Sequence, residues 1–236
     1  MRIKKFIAHT FLWLFCFQLF YIIILRWVNP PLTITQLVSW VSGHGLKRDY
    51  ISKSSMSPFA KLAVISSEDQ LFPDHDGFDW KSIKKAMRYN EKKPGRIRGA
   101  STISQQVAKN VFLWQGRSWI RKGFEVYFTF MIETFWPKER ILEMYLNVIE
   151  TGEGTFGIEA AAQSYFKKPA SALSRQEAAL IAACLPNPKR YKAAPASAYI
   201  LSRATFIQRQ MRNLETDPDI RILCWPEEKR PEKISK

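Results

Sequence analysis

Cysteine is scarce in this chain, with three in 236 residues: Cys16, Cys184 and Cys224. They form no CxxC pair and no metal-ligand spacing, which argues against a zinc site and a disulfide framework. A single pairing of Cys184 with Cys224 outside the cytoplasm stays open. Acidic residues are outnumbered, 21 against 36 Lys and Arg, leaving a formal net charge of +15. That excess favours a polyanionic partner: nucleic acid, anionic lipid head groups or a phosphorylated substrate. Alternating strand-like runs are also scarce, and neither internal repeats nor low-complexity tracts occur. These shortages leave a single, mainly α-helical body as the expected architecture.

The first thing present is a long apolar run, Phe6 to Leu25, uninterrupted by charge. At ~1.5 Å per residue, some ~20 residues span a ~30 Å hydrocarbon core. Arg2, Lys4 and Lys5 precede it, so the N-terminus is expected inside and the rest of the chain outside the cytoplasmic (inner) membrane. A cleaved signal peptide would need a shorter run and a small-residue cleavage site, and no A-x-A pattern follows. Arg26-Trp27 fits an interfacial anchor, and Pro30-Pro31 marks a break. The expected divisions are a stub and single-pass transmembrane anchor over 1–31, a linker or the entry to the domain over 32–60, the domain over 61–216 and a charged tail over 217–236. Helices are expected at Trp80–Tyr89, Thr102–Phe112, Ser118–Phe135, Lys138–Val148, Gly157–Tyr165, Arg175–Cys184 and Pro195–Leu214. The segment Asn90–Arg98, holding Pro94-Gly95, reads as an exposed loop.

Four stretches carry candidate chemistry. Ser67 to Trp80 crowds acids and a histidine where a helix ends and the chain turns at Gly77. A carboxylate beside an apolar helix is partly desolvated, which raises its pKa and suits it to general-base work. The Phe, Pro and His in this stretch do not fit a calcium loop. In Gly99 to Asn110, Ser101 or Thr102 caps a helix start, and Thr102, Gln106 and Lys109 fall at i, i+4 and i+7 as one polar stripe. A helix N-terminus beside a lysine suits phosphate, though a capped, solvated face is the plainer alternative. Arg121 and Glu125 form an i, i+4 pair whose bland role is helix support at ~0.2–0.5 kcal/mol. Around them Phe112, Trp114, Trp119, Phe124, Tyr127, Phe128, Phe130 and Phe135 interleave with Arg117, Arg121 and Lys122, a surface suited to a membrane interface, with ordinary core as the plainer role of some of these rings. The fourth stretch, Lys138 to Asn147 followed by Gly152 to Ala162, reads as structural, with Ile141, Leu142, Tyr145 and Leu146 facing inward.

These blocks, in this order, resemble the peptidoglycan glycosyltransferase family, whose fold is lysozyme-like. EDxxFxxHxG appears as Glu68 to Gly77, GxSTIxQQxxKN as Gly99 to Asn110, RKxxE as Arg121 to Glu125, ILExYLN as Ile141 to Asn147 and GxEAAAxxYFxK as Gly157 to Lys168. The resemblance covers roughly residues 61 to 213, and five motifs in fixed order are specific.

The resemblance implies polymerisation of lipid II into β-1,4-linked glycan, with inversion and release of undecaprenyl pyrophosphate. Glu68 becomes the general base. Lys109, Arg121 and Lys122 hold the diphosphate, with Thr102 and Gln106 lining the same groove. Glu125 becomes a second essential carboxylate, and a divalent cation (Mg or Mn) near it is left open. Asp69, Phe72, His75, Ser101 and Asn110 shape the site. The implied partners are lipid II and the growing strand, membrane phospholipid, and proteins of the division or elongation machinery, with no nucleic acid. Ser82-Ile83-Lys84-Lys85 formally fits SxxK, but no KTG occurs, so transpeptidation is not expected. A glycan-cleaving enzyme on the same body and a membrane-tethered anionic-lipid scaffold are the competing readings.

Overall fold

The computed structural model describes residues 2–93, 95, 99–116 and 118–225. Among them the architecture is mainly α, with one minor sheet. Helix α1 (Arg2–Ile24) is apolar on all sides, and Phe11, Trp13, Phe17 and Phe20 are exposed. A helix bare on every face suits hydrocarbon rather than water. Its last turns behave differently. Ile22 and Leu25 are buried in the domain core. Trp136 Nε1 donates to Ile22 O at 2.8 Å, Tyr127 Oη to Gln18 Oε1 at 3.0 Å, and Arg26 to Phe135 O at 3.0 Å. Arg140 donates to the carbonyls of Leu25 and Val28 and to Asn29 Oδ1. Helix α1 is therefore docked on the domain, and the boundary expected at residue 31 is no boundary in packing.

Nor are residues 32–60 a plain linker. They contain α2 (Ile34–Val41), β1 (Lys47–Arg48), a 3₁₀ turn at Lys53–Ser55 and the start of α3 (Pro58–Glu68). Thr33 and Gln36 close a reciprocal capping box at the start of α2. Ser57 caps α3, and Pro58 sits in its first turn, where a missing N–H costs nothing. Seven successive residues of α3, Ala60 to Ser66, are buried, so this short helix runs through the centre of the body.

Around it the chain forms α4 (Trp80–Lys92), α5 (Ile103–Phe112), α6 (Trp119–Phe135), α7 (Lys138–Val148), α8 (Ile158–Phe166), α9 (Arg175–Cys184) and α10 (Ala198–Leu214). Helices α9 and α10 pack on α3, while α5, α6 and α7 pack together beside α1 and α2. Helix α4 outruns its expected end by three residues, taking Asn90–Lys92 out of the expected loop; Pro94 and 96–98 lie outside the described residues, as does Arg117. Strands β2 (Glu150–Gly152) and β3 (Thr155–Phe156) complete a sheet of order β1-β3-β2, with β1 parallel and β2 antiparallel to β3. The turn between β2 and β3 needs Gly154: its φ is +63°, and a Cβ there would strike the His44 carbonyl.

The expected tail also starts too early. Asp217 caps α11 (Pro218–Cys224), whose Ile220, Leu223 and Cys224 are buried against α3. Residues 226–236 lie outside the described residues. Cys184 and Cys224 are free, buried thiols, pushed up to about 11 and about 12 by that burial.

Candidate active site

Glu68 is the last residue of α3, and Asp69 is its C-cap. One carboxylate therefore opens onto a cleft while the next points back into the protein. The cleft has a volume of about 1120 Å³ and is bounded by the end of α3, the face of α4 bearing Ser82 and Lys85, residues 99–102, Gln106 and Lys109 of α5, and Arg203 of α10. Glu68 Oε2 accepts from Gln106 Nε2 at 3.0 Å, and Oε1 accepts from Ser67 Oγ at 3.3 Å. Gln106 is itself oriented by the buried Tyr145, whose hydroxyl donates to Gln106 Oε1 at 3.2 Å. Burial raises the Glu68 pKa above the ordinary carboxylate value; the Gln106 bond and the charge of Arg203 offset part of that rise. This environment makes a carboxylate more basic without removing it from solvent.

Asp69 is only 6% exposed and acts as a brace. Its Oδ2 accepts the Ile103 N–H at 2.9 Å, and both oxygens lie within 3.1 Å of His75 Nε2. Gly77 N donates to His75 Nδ1 at 3.1 Å, which leaves the ring hydrogen on Nε2, facing Asp69. Thr102 Oγ1 donates to Gly77 O at 2.7 Å, while Thr102 also caps α5 in a capping box with Gln105. These bonds tie the first stretch to the second. Gly77 is required at this joint: its φ is +87°, and a Cβ would lie 2.7 Å from the Thr129 side chain. Phe72 is fully buried, with Lys138 Nζ 4.7 Å from its ring centroid. Ser101 is exposed at the cleft wall, and Thr102, not Ser101, is the cap.

Lys109 faces the cleft from α5 and is half-buried. Among the described residues its Nζ takes no hydrogen bond or ion pair. Burial lowers its pKa, Glu125 opposes that shift, and Arg121 and Lys122 add to it. Glu125 is 3% exposed, and both its oxygens are occupied: Arg121 Nη1 donates to Oε2 at 2.7 Å, and Lys122 Nζ donates to Oε1. The i, i+4 pair is thus part of a three-membered cluster around a buried carboxylate, beside Lys109. Asn110 is buried, and its Nδ2 has no partner among the described residues.

Residues 35–212 match a family profile described as transglycosylase. The chain belongs to the transglycosylase family. A biosynthetic peptidoglycan transglycosylase of Salmonella schwarzengrund is 57% identical over 182 residues, 76% of this chain and 75% of that relative. The protein of the same name from Escherichia coli is 55% identical over 186 residues, 78% and 77% of the two chains. This transglycosylase is accordingly a glycosyl-transferring enzyme.

The side chains around Glu125 do not fit a protein-held divalent ion. Among the described residues no three His, Cys, Asp or Glu side chains converge, and the carboxylate is already neutralised by two cations. Two groups at this transglycosylase cleft carried no signal in the sequence. Arg203 is one of three arginines on α10, and nothing local distinguishes it from Arg209 and Arg212. Lys85 sits among several lysines of α4, and only the packing of Ala86 turns its side of the helix toward the cleft.

Proposed function

We propose that this enzyme polymerises lipid II, a diphosphate-linked disaccharide on a polyprenyl carrier, into β-1,4-linked glycan at the outer face of the cytoplasmic membrane. The Glu68 carboxylate takes the proton from an acceptor sugar hydroxyl. The resulting oxygen forms a bond to the donor's anomeric carbon from the face opposite the leaving group, so configuration inverts. The bond from that carbon to the diphosphate oxygen breaks, and its electron pair leaves with undecaprenyl pyrophosphate. Lys109, with Arg121 and Lys122 behind it, offsets the charge that grows on the leaving group. A diphosphate is a good leaving group and needs no acid, whereas inverting glycoside hydrolysis needs a second carboxyl as general acid. Asp69 is held by the Ile103 N–H and His75, and Glu125 by two cations, so neither is available for that role. We assign no transpeptidase activity to the chain.

The observation that carries this reading is the cleft that Glu68 shares with Lys109, whose Nζ has no partner among the described residues. Labelled lipid II incubated with the purified protein, followed by sizing of the products, tests it. Polymer from the parent chain and almost none from Glu68→Gln supports the reading. Cleavage of preformed glycan without polymer would sink it.

A further inference from the structure

Helix α2 is folded with its polarity reversed. Thr35, Gln36 and Ser39 face the protein and are buried, whereas Ile34, Leu37, Val38, Trp40 and Val41 face outward. Trp40 is 60% and Val41 75% exposed. Most of the inward polar groups are matched, although Gln36 Nε2 has no partner among the described residues. Thr35 Oγ1 accepts from Gln115 Nε2 at 2.8 Å, Gln36 Oε1 accepts from Thr33 N and Tyr50 Oη, and Ser39 Oγ donates to Gly45 O at 3.0 Å. The reversal is therefore built in, and an eight-residue helix presents an apolar stripe with nothing among the described residues over it.

We propose that α2 lies in the plane of the extracytoplasmic leaflet of the bilayer that α1 crosses, with its apolar stripe among the upper acyl chains. Three observations favour lipid over a protein partner. The chain leaves α1 next to the exposed Trp27, and Arg140 holds Val28 and Asn29 on the domain, so α2 starts within about five residues, at most ~18 Å, of that fixed point. Its outer face has the composition of an interfacial helix, tryptophan and aliphatics, and the exposed Lys47 follows six residues beyond its end. Helix α2 also packs on α5, which packs on α6, which packs on α1, so the lipid-facing anchor and α2 belong to one continuous body. Because α5 carries Gln106 and Lys109, seating α2 in the leaflet holds the cationic end of the cleft at the level where a lipid-borne diphosphate lies.

The inference rests on α1 being a membrane span, and the test separates the two. Cys16 is replaced by alanine, the buried Cys184 and Cys224 are left, and single cysteines are placed at Phe17, Val41 or Ser202. Each full-length protein is labelled with an environment-sensitive fluorophore, checked for retained turnover and reconstituted in vesicles. Those vesicles contain lipids with a nitroxide high or low on the acyl chain. The expected result is loss of fluorescence at position 17 with the deep quencher, at position 41 with the shallow quencher, and at position 202 with neither. Quenching at 17 with a water-exposed label at 41 overturns the role of α2 alone. A label at 41 that is shielded from water but quenched by neither lipid also overturns it, since a second copy or a protein partner then covers the stripe. Absence of quenching at 17 overturns the anchor itself.

Discussion

Gln106 stands between Tyr145 and Glu68, donating to the carboxylate through Nε2 and accepting from the phenol through Oε1. The tyrosine hydroxyl fixes which end of the amide faces the acid, so Glu68 always meets a donor. That donor favours the ionised form and limits how far burial raises the pKa.

Replacing Gln106 with Met removes this donor while keeping the volume. Glu68 then holds its proton to higher pH. Since the base works only when deprotonated, the acid limb of the turnover–pH profile shifts upward and turnover at neutral pH falls. Because burial raises the Glu68 pKa, the acid limb of the parent chain is itself expected above that of an ordinary carboxylate. An unshifted limb in Gln106→Met would refute the coupling.

Glu68→Gln keeps both neighbours and removes the base. Loss of a general base costs on the order of 10²–10⁴ in rate. The melting temperature should stay or rise: the folded-state pKa of Glu68 is raised, so at neutral pH the ionised carboxylate is a net cost that falls as pH drops toward that pKa. A large drop in stability would point to a structural role instead.

Asp69→Asn should behave in the opposite way. It weakens a charge-assisted bond to the Ile103 N–H and the contact with His75. Buried bonds to charged groups contribute about 1.5–3 kcal/mol, which in a domain of this size is a fall of several degrees in melting temperature, at ~2–4 °C per kcal/mol. Turnover should fall less than in Glu68→Gln, read by thermal unfolding and product assay on the same preparation.

Lys109→Arg separates charge from acidity. Burial lowers the Lys109 pKa, so the parent chain should lose activity on the alkaline side before an ordinary lysine would. Arginine stays charged, so the alkaline limb should flatten in this variant even if its KM rises. Lys109→Ala should raise KM and lower kcat by at least tenfold, about 1.4 kcal/mol. An alkaline limb unchanged by the arginine would assign it to another group.

Arg140→Ala tests the docking of α1 on the domain. It strips partners from the carbonyls of Leu25 and Val28 and leaves Glu143 without its ion pair. The expected cost is about 2–4 kcal/mol, read as a lower unfolding midpoint in detergent. Limited proteolysis near residues 26–33 should also become faster than in the parent chain.

Motif order in the sequence was enough to establish the family, and helical patterning matched α4 to α10. These features are local: a polar stripe at i, i+4 and i+7, a serine or threonine before a helix, an acid after one. Helix ends at Val148 and Cys184 follow from such short-range rules, which left the cap of α5 open between Ser101 and Thr102. What tertiary structure alone decided is which of many similar side chains meet. It turned Asp69 inward and left Glu68 in the cleft, although the two are adjacent acids. It selected Arg203 from three arginines. It also packed Ile22 and Leu25 of an apolar run into the core and set α2 with its apolar side outward. Each of these depends on partners ten to more than a hundred residues away, and no periodicity within one segment encodes a neighbour at that separation.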